Sequence, residues 1–197
     1  MTRTNLVVLS SLVCLVATGC TSVATTGEVR AQLSPGSVLI TVPSIPEEGK
    51  GSCGLDCMTS LLRMNGLDLD DEGRRRFPLA DVAKEWISAG EMRDYLILRG
   101  FRAVLVQGTL DHARPAGLLR LLEAGLPVIV ERDIEGSNHF QLVCGFDVER
   151  HCLFVMLPMG VGAVPYDKFE KSWAATEHLA LVATPEAKLA ATPAGGG

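Results

Sequence analysis

The sequence predicts an α+β fold in which an N-terminal helical part packs on a C-terminal antiparallel sheet. Residues 50–66 carry a helix with a start, an apolar face and a stop. Helical patterning dominates the chain from there to Ala124. From Leu126 onward the chain turns to short apolar strands separated by polar turns, ending at Val182. Helices grouped first and antiparallel strands grouped last are the order of an α+β fold. A length of 197 residues is enough for one domain with a sizeable core.

The opening residues, 1–19, are expected to be a signal peptide. Arg3 gives a positive start, and the apolar run Leu6 to Val16 is too short to span a bilayer as a stable helix. The run Leu15-Val16-Ala17-Thr18-Gly19-Cys20 resembles the lipobox of bacterial lipoproteins, with Ala17 where that motif usually has Leu. The resemblance implies cleavage before Cys20 and diacylglycerol on its sulfur; a plain secretory signal cut nearby is the alternative. Thr21 stands where an Asp would retain a lipoprotein at the inner membrane. The implied location is therefore the bacterial envelope, lipid-anchored at the periplasmic face of the outer membrane. Residues 20–36, rich in Thr, Ser, Ala and Gly, read as a flexible tether. The domain is expected over 37–184 and a disordered Ala, Pro and Gly tail over 185–197.

Val38 to Val42 is a short β-branched strand closed by Pro43 and Pro46. Glu47 to Gly51 is a polar loop. Ser52 caps the next helix, in which Cys53, Cys57 and Leu61 repeat at i, i+4 and i+8, and Asn65-Gly66 stops it. Asp68 to Arg76 is a charged surface loop, its arginines close enough to Asp70, Asp71 and Glu72 for local pairing. Leu79 to Ser88 and Glu91 to Arg99 read as two short helices separated by Gly90. Phe101 to Val106 is a strand, Asp111 to Ala124 a helix and Leu126 to Glu131 a strand. After a polar turn, Asp133 to Asn138, the strands Phe140 to Phe146 and Cys152 to Met156 pair about Asp147 to Arg150. Gly160 and Gly162 mark a loop, Asp167 to Trp173 a helix and His178 to Val182 the last strand.

A net charge of −5 argues against nucleic acid as a partner. Of six cysteines, Cys14 leaves with the signal and Cys20 takes lipid, leaving Cys53, Cys57, Cys144 and Cys152. There is no C-x-x-C, and His151 beside Cys152 is not ligand spacing, so neither a metal nor any other cofactor is expected. Cys144 and Cys152 lie on strands joined by a short turn whose midpoint is Val148. Two buried free thiols are the preferred reading and a cross-strand disulfide the alternative.

Cys53 sits in the first turn of its helix. Unpaired backbone N–H groups and the helix dipole there favour an anion and lower a thiol pKa, which makes Cys53 a candidate nucleophile; an inert buried thiol is the alternative. A nucleophilic cysteine needs a base from elsewhere in the chain. Of four histidines, His112 falls at a helix start, His151 in a turn and His178 at the opening of the last strand. His139 begins an apolar strand just after a polar turn, where a side chain emerges at a site edge, and is the best partner.

The pieces Cys53-Gly54, Gly125-Leu126-Pro127-Val128-Ile129-Val130 and His139-Phe140-Gln141-Leu142-Val143-Cys144-Gly145-Phe146-Asp147 follow one another in this order. With Tyr166 to Trp173 behind them, they resemble the double-glycine (bacteriocin-processing) cysteine peptidase family 39 of the papain-like superfamily, over roughly Val38 to Ala183. The resemblance implies a papain-like cysteine peptidase fold, with Cys53 as nucleophile and His139 as base. That family has Asp-Pro after the strand following the histidine; here Leu157-Pro158 stands there, so Leu157 occupies the third triad position. The family's oxyanion-donating Gln, five or six residues before the nucleophile, is replaced by Glu47 and Glu48. A carboxylate cannot donate unless protonated, and it repels an oxyanion. The Cys53 backbone N–H remains as donor. In a serine triad, losing the orienting carboxylate costs about 10⁴ in turnover. A cysteine–histidine ion pair suffers less, because its thiolate is already formed. Losing one oxyanion donor costs roughly 10²–10³. The function implied is thiol-dependent cleavage of a peptide or related amide, slow or specialised, on the envelope side of a bacterial membrane. The alternative is a catalytically degenerate module that binds a peptide or partner protein. The oligomeric state stays open.

Overall fold

The computed structural model describes residues 23–45, 53–70, 73 and 87–186. The expected signal peptide, Cys20, Glu47, Glu48, Ser52, most of the expected helix Leu79 to Ser88 and the tail beyond residue 186 lie outside the described residues. Within them the fold is α+β, as the sequence predicts, with five helices and one eight-stranded sheet among the described residues.

The sheet is antiparallel throughout. Its centre is the run β4 (Val128–Ile134), β5 (Ser137–Asp147), β6 (Cys152–Leu157) and β7 (Gly160–Pro165). On one side β4 pairs with β8 (Leu179–Pro185), which pairs with β3 (Phe101–Gln107) at the edge. On the other side β7 pairs with β1 (Val23–Ala24). Strand β2 (Val38–Leu39) pairs with β5 beyond the point where β4 ends. That docking needs Gly145, whose added Cβ would lie 2.2 Å from the Val38 carbonyl oxygen.

Strand alternation sorts the core into two layers. Ile129, Leu142, Phe154 and Leu181 point to the face covered by α1 (Thr26–Arg30), α2 (Cys53–Met64) and α3 (Ala89–Leu98). Val128, Val130, Val143, Val155 and Ala180 point to the opposite face, covered by α4 (Leu118–Glu123) and α5 (Tyr166–Ala174). Trp173 of α5 is fully buried there and donates its indole N–H to the Leu179 carbonyl at 3.0 Å.

Several expectations are corrected. The segment expected as a tether is integrated from Val23 onward: Val23 and Ala24 pair with Gly162 and Val161, and Val29 reaches the core. Gly90 lies inside α3, because Ser88 and Glu91 form a capping box that starts the helix before it. His112 does not open a helix. Asp111 instead accepts from the amides of Ala113 and Arg114 in a compact turn, Pro115 follows, and α4 begins only at Leu118. Gly160 and Gly162 belong to strand β7 and not to a loop; an added Cβ at Gly160 would meet the Ala24 carbonyl oxygen at 2.4 Å, so glycine is what lets β1 dock. Strand β5 starts at Ser137, because Glu135 and Gly136, both at positive φ, make a two-residue hairpin. In line with the preferred sequence reading, Cys144 and Cys152 are free and buried. A register shift between Val143 and Gly145 places Asp147, not Cys144, opposite Cys152.

Candidate active site

Helix α2 carries Cys53 as its first residue, half-exposed at the end that favours an anion. The other end closes as a Schellman motif, with Leu67 N–H donating to Leu62 and Gly66 in the left-handed region. What brings the start of α2 onto the sheet is Gly54. An added Cβ there would lie 2.5 Å from Ile87, 3.1 Å from Phe140 and 3.3 Å from Met92. The Cys-Gly pair thus seats the helix start directly against β5, one residue from His139.

The cleft itself arises where two strands diverge. Strand β6 pairs with β5 only from Val143 and Val155 to the hairpin end, while Met156 and Leu157 continue against β7 alone. Residues 139–142 therefore pair with β4 on one edge and leave the other edge open. A cavity of about 240 Å³ occupies the gap, lined by Cys53, His139, Phe140, Leu157, Pro158 and Ile45. Ser44 ties the far rim down by donating to the carbonyls of Leu157 and Pro158 at 3.0 and 2.6 Å.

The expected nucleophile, base and third position thus line one cavity. Glu47, Glu48 and Cys20 lie outside the described residues. Asn138 is on the opposite face from His139 and donates to Glu131 at 3.1 Å. The remaining histidines sit elsewhere: His112 pairs with Glu123, His178 pairs with Glu170, and His151 lies against the Tyr166 ring.

Four lining or supporting residues were not singled out from the sequence. Asp56 and Ser60 follow Cys53 along α2 and line the cavity, as does Gln141. Behind Gln141 stands Arg132, the ladder partner of His139 and only 6 % exposed. Its guanidinium donates to the Gln141 side chain at 2.5 Å and to Ser172 at 2.8 Å, and lies over the Phe169 ring. Burial pulls its pKa down to about 10, so it stays cationic at neutral pH. Spacing carries a signal for Asp56, three residues after the nucleophile on the same helix; nothing local marks Arg132. Cys57 also lines the cavity but is buried. Burial first, then the neighbouring Cys53 and Asp56, push its thiol pKa well up, so it stays protonated. Among the described residues no group of three or more His, Cys, Asp or Glu could hold a metal ion.

This is the fold of the double-glycine, or C39, peptidase domains of papain-like architecture. One solved structure of that kind is the peptidase domain of Streptococcus ComA, a bifunctional ABC transporter in a quorum-sensing pathway. It matches with a TM-score of 0.55 and 17% identity over 72% of this chain and 96% of that one. A double-glycine-motif protease from an AMS/PCAT transporter, in complex with its leader peptide, matches with a TM-score of 0.57 and 17% identity, over 75% and 94%. A C39-like peptidase from Bacillus anthracis matches with a TM-score of 0.57 and 15% identity, over 75% and 97%. No protein-family model and no curated protein matches the sequence.

Proposed function

We propose that this protein is a papain-like cysteine peptidase of the double-glycine type, held in the bacterial envelope by a lipid on Cys20. The observation that carries the reading is that Cys53, at the start of α2, lines one cavity with His139. In the proposed reaction His139 holds the Cys53 proton and the thiolate attacks a peptide carbonyl carbon. The tetrahedral oxyanion accepts from the Cys53 backbone N–H. Collapse breaks the C–N bond, and the amine leaves with the proton from His139. Water, giving a proton to His139, then hydrolyses the thioester, releases the carboxylic acid and regenerates the thiol. A peptide substrate is supported by the neighbour captured with a leader peptide.

Leu157 and the pair Glu47 and Glu48 supply neither a carboxylate orienter nor an oxyanion-donating amide, which fits slow or specialised turnover. The same Leu157 favours a second reading, a degenerate module that holds an extended peptide without cutting it. Thiol labelling separates the two. As a peptidase, the protein should alkylate at Cys53 faster than at Cys57 between pH 6 and 7, and His139→Ala should slow that reaction. Equal labelling of both thiols, insensitive to His139→Ala, would leave only the binding module. For the anchor, Cys20→Ala should move the protein to the soluble fraction; unchanged membrane retention would refute the lipid.

A further inference from the structure

We infer that the tip of the β6–β7 hairpin and the start of β1 form a docking surface for a lipid bilayer, which holds one wall of the cleft at the membrane. This rests on the lipid on Cys20 proposed above. It adds an oriented contact that a lipid anchor by itself does not supply.

Met159 is 87 % exposed, more than any other large apolar side chain among the described residues. With Pro158 it makes the two-residue turn between Leu157 and Gly160, which pair across β6 and β7. A single exposed apolar residue is ordinary on a protein surface. Met159 is not single. Val23, 51 % exposed, lies beside the turn, its Cγ1 3.2 Å from where a Cβ on Gly160 would stand. From Cys152 to Pro165, two strands and their turn, the chain has no charged, amide or hydroxyl side chain. The neighbouring hairpin turns are charged: Glu135 opens the one between β4 and β5, and Glu149 and Arg150 lie in the one between β5 and β6. The strap adds Glu28 and Arg30, opposite in sign and both engaged, with Thr25 and with Leu39 and Thr41. The tip is also held in place. Ser44 donates to the carbonyls of Leu157 and Pro158, and the proline ring fixes one φ of the turn.

The chain itself brings this tip to a bilayer. The three residues from Cys20 to Val23 reach at most about 10 Å. Val23 pairs with Gly162, three positions from Met159, or about 10 Å along the strand. Anchor and tip thus lie close enough to meet one flat surface together. A net charge of −5 gives no pull toward anionic lipid, so the apolar tip is what orients the domain. Leu157 and Pro158 belong both to this hairpin and to the cavity wall. A docked tip therefore sets the Cys53 cleft at the membrane surface.

The test reads the surroundings of a fluorophore on the full chain, lipidated in cells and reconstituted into vesicles of phosphatidylethanolamine and phosphatidylglycerol. Cys53→Ala removes the half-exposed thiol and makes the outcome independent of the proposed peptidase chemistry. Met159→Cys, or Leu98→Cys in a second protein, then takes the dye nitrobenzoxadiazole. Leu98 is 63 % exposed at the end of α3, which packs on β3 at the opposite edge of the sheet. On vesicles the dye at position 159 should shift to the blue and be quenched by spin-labelled lipid, while the dye at position 98 keeps its spectrum in water.

A chain that does not sediment with the vesicles lacks the anchor, and the docking falls with it. A chain that sediments with the dye at position 159 still in water keeps the anchor and overturns the docking. Equal shifts at both positions overturn it as well, since one flat surface does not cover opposite edges of the sheet. A shift at position 159 that appears on concentrating the protein without vesicles assigns the tip to a second copy of the chain and not to lipid. Should Met159→Cys not fold, amide hydrogen exchange over residues 157–161 of the unaltered protein decides. Exchange slower on vesicles than in the Cys20→Ala chain free in solution supports the docking, and equal exchange overturns it.

Discussion

Gly54 shows how one missing methyl group sets the geometry of the whole site. Its neighbours are Ile87, Phe140 and Met92, three side chains from three directions. Gly54→Ala should cost about 1–3 kcal/mol by overpacking. At roughly 2–4 °C per kcal/mol for a chain of this size, that is a fall of several degrees in Tm. The tightest contact is the Ile87 methyl and the next is Phe140, which adjoins His139, so relieving the clash shifts the start of α2 against these side chains. Cys53 labelling should slow in the same variant at temperatures where it remains folded. A melt and a labelling rate equal to those of the unaltered protein would show that α2 does not depend on this contact. At this scale the sequence is informative about identities and silent about neighbours. Cys53, His139 and Leu157 could be named because each sits in a local pattern. Arg132 could not: its burial against Phe169 and Ser172 joins residues about 40 positions apart, and the strand expected from the sequence ends one residue before it, at Glu131.

Among the elements, the β5–β6 hairpin is the best written in the sequence and also carries its least visible device. The strands are plain from their apolar runs. Asp147 is fully buried at their turn, yet a sequence reading puts an Asp in a turn at the surface. It accepts from the amides of Glu149 and Arg150 within the turn, and from Ser34 more than 100 positions away. Burial pushes its carboxyl pKa up, but donation from Arg150 and Ser34 outweighs that and holds it below the usual range. The folded pKa is thus lower than the unfolded one. The stability it contributes is complete above an unfolded pKa of about 3.9 and is lost as pH falls through the lower folded value. Stability should fall as pH drops below about 4, by an amount that Asp147→Asn reduces. At neutral pH that variant should already be weaker by about 1–3 kcal/mol, because a donor replaces an acceptor next to buried amides. Denaturant unfolding at pH 7 and pH 3 measures both effects. Parallel curves for the two proteins would place the acid sensitivity elsewhere. Strand β7 was missed for the opposite reason. Its two glycines read as loop, and only the approach of β1 explains why Gly160 belongs in a strand.

Across the whole molecule, the N-terminal segment works as a strap and not as a leash. Strand β1 closes one edge of the sheet, Val29 enters the core, and Ser34 completes the shell of Asp147. Arg30 fixes the strap again by donating to Thr41 at 2.7 Å. A composition rich in small polar residues cannot reveal this, since Thr25 serves as a helix cap and Ala24 as a strand residue, roles that the same letters do not carry in a linker. The geometry bears on the proposed anchor. Three residues reach at most about 10 Å, so a lipid on Cys20 would hold the β1–β7 edge close to the membrane surface. Removing the strap should have a thermodynamic signature. A chain that starts at Ser37 loses the burial of Val29, worth about 1.5–3 kcal/mol, and the Ser34 hydrogen bond, worth roughly 1 kcal/mol. It should melt roughly 5–15 °C below a chain that starts at Thr21. It should also self-associate more readily, because the outer edge of β7 loses its short covering strand. Cys53 labelling in the cool, folded state should stay unchanged, since no strap residue lines the cavity. Equal melting temperatures for the two chains would show that residues 21–36 are a tether after all, and that the pairing of β1 with β7 adds nothing to the stability of the fold.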